Sequence, residues 1–425
     1  MGVRCKVPEL RFKEFSGEWE EKKLIELSEN GFSNGAFNDP KKVGSGYRII
    51  NVKDMYVDGT IDISHLSKVA LDEKEYLNNR VHYGDIFFTR SSLVKEGIAY
   101  SNVNLSNADD LTFDGHLIRM RPNKQNCSPI FLYYNFTTSY ARKQFIIRGK
   151  TTTMTTIGQE DIASVKIVLP SKQEEEKIAS FLSSVANRIE QLTKKEQLLR
   201  EYKKGVMQKI FSQELRFHPK GISSQAQGTD DNGSEFPEWK EKKLQDLLSM
   251  IIDNRGKTPP VTDNGIPLIE VNAIGNKTIN YSKVSKFVDN NTFNQWFRKY
   301  LQNGDILFST VGQTAICSLY KNDVKAVIAQ NIVGLRFRDS NNLFMFYLLI
   351  EKQNNHKFKR IEMGAVQPSV KVSQMIHINF LIPSLKEQTK IANFLSSLDT
   401  KIEQVSKELN LTKEFKKALL QKMFV

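Results

Sequence analysis

The chain has 425 residues, 40% of them hydrophobic, and 61 Lys and Arg against 48 Asp and Glu give it a net charge of +13. That length exceeds one compact core and predicts two or three domains, and the apolar content excludes a disordered chain. The basic excess favours a polyanionic partner, either nucleic acid or an anionic membrane face, while no apolar run is long enough to cross a bilayer.

The start, MGVRCKVPEL, has no signal-peptide core, and Lys6 stands where a myristoylation signal needs Ser or Thr. Cys5, Cys127 and Cys317 lie far apart with no metal-ligand spacing, which reads as three reduced thiols in a cytoplasmic protein. No metal site is expected.

Along the chain, EWEEKKL (18–24) is followed by GYRIINVKDM (46–55), which reads as a strand after a glycine. GDIFFTRSS (84–92) reads as a turn and a strand, 129–149 has helical apolar spacing, and GKTTTMTTIG (149–158) is a loop of small hydroxyl residues beside a lysine. Then the order repeats. EWKEKKL (238–244) keeps six of seven residues of the first stretch, GIPLIEVNAI (265–274) reads as a strand, and GDILFSTVG (304–312) restores Gly-Asp-Ile with a Phe at the fifth place. The stretch 342–361 is again helical, and GAVQPSVKV (364–372) is again a loop. PSKQEEEKIASFLSSVANRIEQ (170–191) returns as PSLKEQTKIANFLSSLDTKIEQ (383–404) with thirteen of twenty-two positions identical. The chain is a duplication.

The predicted domains are a module over 1–170, a helix over 171–213, a polar linker over 214–234, a second module over 235–383 and a second helix over 384–425. Ser171 and Ser384 suit N-caps, and Glu174 and Glu387 three residues on complete capping boxes. Apolar residues in steps of four and three, Ile178, Leu182, Val185 and Ile189 in one helix and Ile391, Leu395, Leu398 and Ile402 in the other, form coiled-coil seams. Glu196, Lys203, Thr412 and Lys416 interrupt those seams. The simplest pairing for a two-fold repeat is an antiparallel coiled coil with pseudo-two-fold symmetry. The expected fold is α+β: two similar mixed α/β modules, each followed by a long helix.

The repeated strand keeps its scaffold and changes its end: Thr89-Arg90-Ser91-Ser92 against Ser309-Thr310-Val311-Gly312-Gln313. Two modules built alike with unlike polar ends suit the reading of two different things. Arg takes guanine bidentately, Asn and Gln take adenine, and Ser and Thr serve base edges or phosphate. Candidate DNA contacts are Asn51, Lys53, Arg90, Ser91, Ser92, Lys150, Thr151 and Thr153 in the first copy. In the second they are Asn272, Thr310, Gln313, Gln367, Ser369 and Lys371. Motifs for catalysis are missing from the sequence: there is no P-loop, no Asn/Asp-Pro-Pro-Tyr, no Gly-x-Ser-x-Gly and no His-Glu-x-x-His. Six scattered histidines form no constellation, and a turn role explains Asp85 and Asp305 without chemistry.

GDILFSTVGQTA (304–315), TPPVTDNGIPLIEVNAI (258–274), GAVQPSV (364–370) and the helix start IPSLKEQTKIANFLSSLDTKIEQ (382–404) resemble the specificity (S) subunits of type I restriction–modification enzymes. The resemblance spans the chain, and in the first copy TTTMTTIG replaces the GAVQPSV type of loop. It implies a non-catalytic subunit whose modules each read one half of a bipartite site in double-stranded DNA. The paired helices would separate the half-sites and bind two modification (M) subunits carrying S-adenosylmethionine and methylating adenine. Restriction (R) subunits would add ATP- and Mg-dependent cleavage. No cofactor is expected in this chain and no membrane. The other readings are a DNA-specificity subunit of a methylation-only system, an enzyme fused to such modules, and a coiled-coil scaffold or adaptor without DNA specificity.

Overall fold

The computed structural model describes residues 7–37, 42–57, 59–218, 221–223, 228–230, 232–254, 257–321 and 323–425. It divides into two compact units, Met1–Lys194 with Ser406–Val425, and Lys195–Val405. Each unit holds one module and a stretch of both long helices.

In the first unit an antiparallel sheet runs in the order Ser28–Asn34, Leu117–Pro122, Ile86–Thr89, Ser101–Val103. A smaller sheet places Val43–Ile50 between antiparallel Ser67–Val69 and parallel Leu111–Phe113. The second unit repeats both. Its sheets are Leu248–Ile252, Ile332–Phe337, Ile306–Ser309, Cys317–Leu319, and Phe287–Val288, Ile266–Ile269, Val327–Ile328. The strands expected at 46–55 and 265–274 end early, in 3-10 turns Val52–Met55 and Val271–Ala273.

The near-continuous apolar run after each Gly-Asp has a physical reason. Ile86 and Phe88 enter one core while Phe87 enters another, and Ile306, Phe308 and Leu307 divide in the same way. A strand buried on both faces has no solvent side to alternate with. Gly84 and Gly304 turn at φ +88° and +89°, where a Cβ would meet Pro129 at 2.9 Å or Asn342 at 2.2 Å. The following aspartates, fully buried, each take a bidentate arginine. Asp85 receives Arg121 Nε and Nη2 at 2.8 and 2.9 Å, and Asp305 receives Arg336 Nε and Nη2 at 2.9 and 2.9 Å. Each carboxylate also accepts a backbone N–H, His82 at 2.9 Å or Gln302 at 2.7 Å. These bonds hold the arginines' pKa above its ordinary value.

The helical stretches at 129–149 and 342–361 are each broken in two, as Pro129–Phe136 with Ser139–Arg148 and Asn342–Ile350 with Lys352–Lys359. Thr138 and Glu351 restart the helix by accepting the N–H of Ala141 and Asn354.

The long helices are Lys172–Phe211 and Leu385–Lys422, here the central and distal helices. In the first unit Ile178, Leu182 and Val185 share a core with Leu419, Met423 and Phe424, and Arg188 bonds Glu408 at 2.5 Å. In the second, Val206 and Ile210 share a core with Ile391 and Leu395, and Lys203 bonds Asp399. The pairing is antiparallel in both units, and Leu398 and Ile402 are buried as well, with Ile189 half-buried. Two of the polar seam positions meet aromatic faces, Lys203 over Tyr347 at 5.2 Å and Lys416 over Tyr134 at 5.6 Å. Each helix end closes the module of the other repeat. Phe424 packs on Trp19 and Phe131, and Phe211 on Trp239 and Phe344.

Two expectations change. The capping boxes form only by half: Ser171 and Ser384 accept the N–H of Glu174 and Glu387 at 3.4 Å, but the glutamate side chains turn elsewhere. Glu174 takes Arg11 Nε and Nη2 at 2.8 and 2.7 Å, and Glu387 takes Arg216 Nε and Nη2 at 3.1 and 2.8 Å. The segment 214–234 is accordingly more than a linker. Arg216–His218 pairs with Gly221–Ser223, and Arg216 and Phe217 are buried. Phe217 meets Phe394 edge-on at 5.7 Å, as Phe12 meets Phe181 at 5.9 Å.

Cys127 and Cys317 are free and buried, and burial pushes the Cys127 thiol up to about 12. Cys5 and Lys6 lie outside the described residues.

Candidate nucleic-acid interface

Where the central strand leaves the first sheet, Thr89 closes the turn back: its N–H donates to Tyr100 O and its Oγ1 accepts the Tyr100 N–H, both at 3.0 Å. Ser309 does the same with Ile316, at 3.0 and 2.8 Å. The next residues, Arg90 and Thr310, hold equivalent places. Arg90 O accepts the Ile157 N–H at 3.0 Å and Thr310 O accepts the Val370 N–H at 2.8 Å. The strand end and the later loop thus meet in each unit.

In the first unit they form a three-stranded sheet. Ser91–Ser92 pairs with Thr155–Thr156, which pairs with Lys150–Thr151. Thr153 lies exposed at the turn of that hairpin, and Thr151 and Thr155 hydroxyls bond at 2.9 Å. Arg90 is exposed, and its guanidinium has no ion pair or hydrogen bond among the described residues. Lys150 is 78% exposed and lies 3.6 Å from Asp161. In the second unit Val311 bridges Ser369, and Gly312 N–H donates to Pro368 O at 2.8 Å. Gln313, Gln367 and Lys371 are exposed there, while Thr310 is 6% exposed.

So Arg90, Ser91, Ser92, Lys150, Thr151 and Thr153 gather on one tip, and Thr310, Gln313, Gln367, Ser369 and Lys371 on another. Asn51, Lys53 and Asn272 do not join these strands and sit on the 3-10 turns after the smaller sheets. Asn51 gives its amide to Ile49 O at 3.1 Å and Ser67 Oγ at 3.0 Å, Asn272 gives its own to Lys283 O at 3.3 Å, and Lys53 is exposed.

The pattern reading missed the residues that brace the tips. Ala99 and Ala315 take positive φ, 49° and 59°, at the base of the returning loop. Arg142 binds the carbonyls of Glu96, Ile98 and Ala99 at 2.8, 2.6 and 2.7 Å, and Asn355 binds that of Ala315 at 2.7 Å. Arg142 and Asn355 fall 213 residues apart, the spacing of the repeated helix starts, so the duplication held the signal. Among the described residues no group of His, Cys, Asp and Glu could hold a metal, and no helix is long and apolar enough to cross a membrane.

A duplicated α+β reader with two unlike polar tips and paired long helices defines a two-module specificity protein. The model of the type I restriction modification DNA specificity domain matches twice, over residues 16–200 and 237–413. The type I restriction enzyme MjaVIII specificity subunit of Methanocaldococcus jannaschii is 24% identical over 314 residues, 72% of this chain and 71% of that one. The type I restriction–modification S subunit from M. genitalium shares the fold with a TM-score of 0.58 at 15% identity, over 99% of both chains. A chain solved for the complex assembly and conformational transition of the type I R-M system gives 0.52 at 16% identity, over 96% of this chain and 97% of that one. The chain belongs to the type I restriction–modification DNA specificity family, and its role is that of the DNA-specificity subunit.

Proposed function

We propose that the chain reads a bipartite site in double-stranded DNA, one half with each tip, and directs adenine methylation or cleavage by partner subunits. The observation that carries this reading is the repeated strand end. One backbone framework is built twice, down to the Thr89 and Ser309 hydroxyl bonds, and presents Arg90, Ser91 and Ser92 in one copy and Gln313 beyond the buried Thr310 in the other. Framework identity with side-chain difference is what two different DNA words require. The +13 charge serves the phosphates.

In this reading the chain catalyses nothing. Two modification subunits supply S-adenosylmethionine chemistry, restriction subunits supply ATP- and Mg-dependent cleavage, and all act in the cytoplasm. The test is a methylome. The chain is expressed with a modification subunit from its own locus in a host lacking other adenine methylases, and N6-methyladenine is mapped by single-molecule sequencing. A bipartite motif that vanishes without the chain supports the reading. A stable complex that methylates nothing would favour a scaffold without DNA specificity.

Within that assay, Arg90→Ala should relax one position of one half-site. The loss of discrimination there should be about 2 kcal/mol, the worth of one bidentate base contact. Equal weakening at both half-sites would argue that Arg90 only binds phosphate or holds the fold.

A further inference from the structure

Leu93 and Val366 are the two most exposed large apolar side chains among the described residues, 87% and 100% accessible. Both fall on the tips. Leu93 follows the Ser91–Ser92 strand directly, and Val366 sits on the loop that meets Val311 and Gly312.

Neither loop is slack. Arg142 ties down three carbonyls of the Leu93 loop, at 2.6 to 2.8 Å. The Val366 loop is closed by two backbone bonds between Met363 and Ser369, each 2.9 Å. Gly364 turns within it at φ +91°, where a Cβ would lie 2.8 Å from Gln367 O. A braced loop that holds an apolar group in water gains nothing for the fold from that group. Leu93 is followed by exposed Val94, Lys95 and Glu96 and preceded by exposed Arg90, with exposed Lys150 two strands across the same small sheet, and near Val366 stand exposed Gln313, Gln367 and Lys371. An apolar point among cations and hydrogen-bonding groups matches one feature of the DNA major groove. That feature is the thymine C5-methyl, set among base-edge acceptors and donors and flanked by phosphates.

We propose that Leu93 in the first unit and Val366 in the second are specificity residues, each packing on the methyl group of a thymine in its own half-site. This rests on the DNA-reading role and adds a base and an atom to it.

The experiment uses the full chain assembled with its modification subunit and duplexes carrying the methylome-defined site. Each thymine is replaced in turn by deoxyuridine, which lacks only the methyl. One replacement in the first half-site should weaken wild-type binding about tenfold. Leu93→Ala should bind thymine DNA as weakly as that, and should no longer distinguish uracil from thymine at that position. Val366→Ala should do the same in the second half-site alone. Specific binding that ignores every replacement would overturn the proposal, as would a uracil penalty undiminished in the alanine variants. Loss of subunit assembly in L93A, without a uracil effect, would reassign the side chain to a protein contact. Absence of any specific binding by the wild type would instead remove the DNA-reading role, and this inference with it. Both side chains are solvent-exposed, so the variants keep the fold.

Discussion

Glu387→Ala is expected to lower the stability of the second unit by about 4 kcal/mol, measured by denaturant unfolding with hydrogen exchange at Lys240–Lys243 as the local probe. Glu387 is 1% exposed and accepts three bonds: Arg216 Nε at 3.1 Å, Arg216 Nη2 at 2.8 Å and Trp239 Nε1 at 3.2 Å. Without the carboxylate, the 4% exposed Arg216 keeps, among the described residues, only the Pro237 carbonyl at 3.2 Å. The cost is chiefly that of a cation left buried and unpaired. Two comparisons test this cause. Arg216→Met combined with E387A should recover more than half of the loss, because no charge remains to be solvated. Glu174→Ala should cost the first unit less, about 2 kcal/mol, because Arg11 is 14% exposed and also bonds Ser16 O and Gly17 O. A loss under 1 kcal/mol in E387A, or no recovery in the double variant, would sink this account.

That pair also marks where pattern reading stopped. The duplication, the coiled-coil seams and the two polar strand ends were legible because each is a local pattern with a period or a copy. Arg11 and Arg216 were not. Glu9-Leu10-Arg11-Phe12 returns as Glu214-Leu215-Arg216-Phe217, but 205 residues on, whereas Trp19 and Trp239 are 220 apart. The second copy has an insertion between the arginine strand and the tryptophan. Its Ser, Gly and Gln content made the stretch read as a linker, and the capping-box pattern then offered a sufficient local use for Glu387. Local patterns identify a helix start, but they do not show that a carboxylate within it is claimed by a residue 171 positions away. The break in each helical stretch was hidden for a similar reason. Apolar spacing continues across Thr138 and Glu351, and only their side-chain bonds to Ala141 and Asn354 N–H show the restart. At the tips, residue type identified the polar groups, but not which belong together. Asn51 and Arg90 are equally plausible base readers by type, and the structure uses the Asn51 amide to bind Ile49 and Ser67.

The second large effect is pH-dependent and belongs to Glu175. Its carboxyl is 1% exposed and accepts the Ser128 N–H at 2.6 Å, at the start of Pro129–Phe136. In the other copy the place is held by Gln388, which accepts the Asn341 N–H at 2.9 Å and donates to Pro383 O at 3.0 Å. A protonated Glu175 is the nearest mimic of that amide. Burial pushes its pKa up to about 8, against the opposing pull of the Ser128 N–H and of Lys172 and Lys22; nearby Glu176 adds to the rise. The buried Cys127 beside it stays neutral, held above its ordinary range by burial and by Glu175. In the unfolded chain the carboxyl releases its proton near 4.5, whereas the folded chain keeps it to about 8. Between those values the native state binds more protons, so its stability falls as pH rises, by up to about 1.4 kcal/mol per pH unit. Above about pH 8 both states are ionised, and the slope from this group vanishes. Glu175→Gln should therefore flatten the stability profile of the first unit from pH 5 to 8 and raise its stability at pH 7.5 by on the order of 4 kcal/mol. At pH 4 it should leave stability nearly unchanged. A variant that follows the wild-type slope, or that is less stable at pH 7.5, would show that Glu175 is ionised in the fold and that Lys172 and Lys22 overcome its burial.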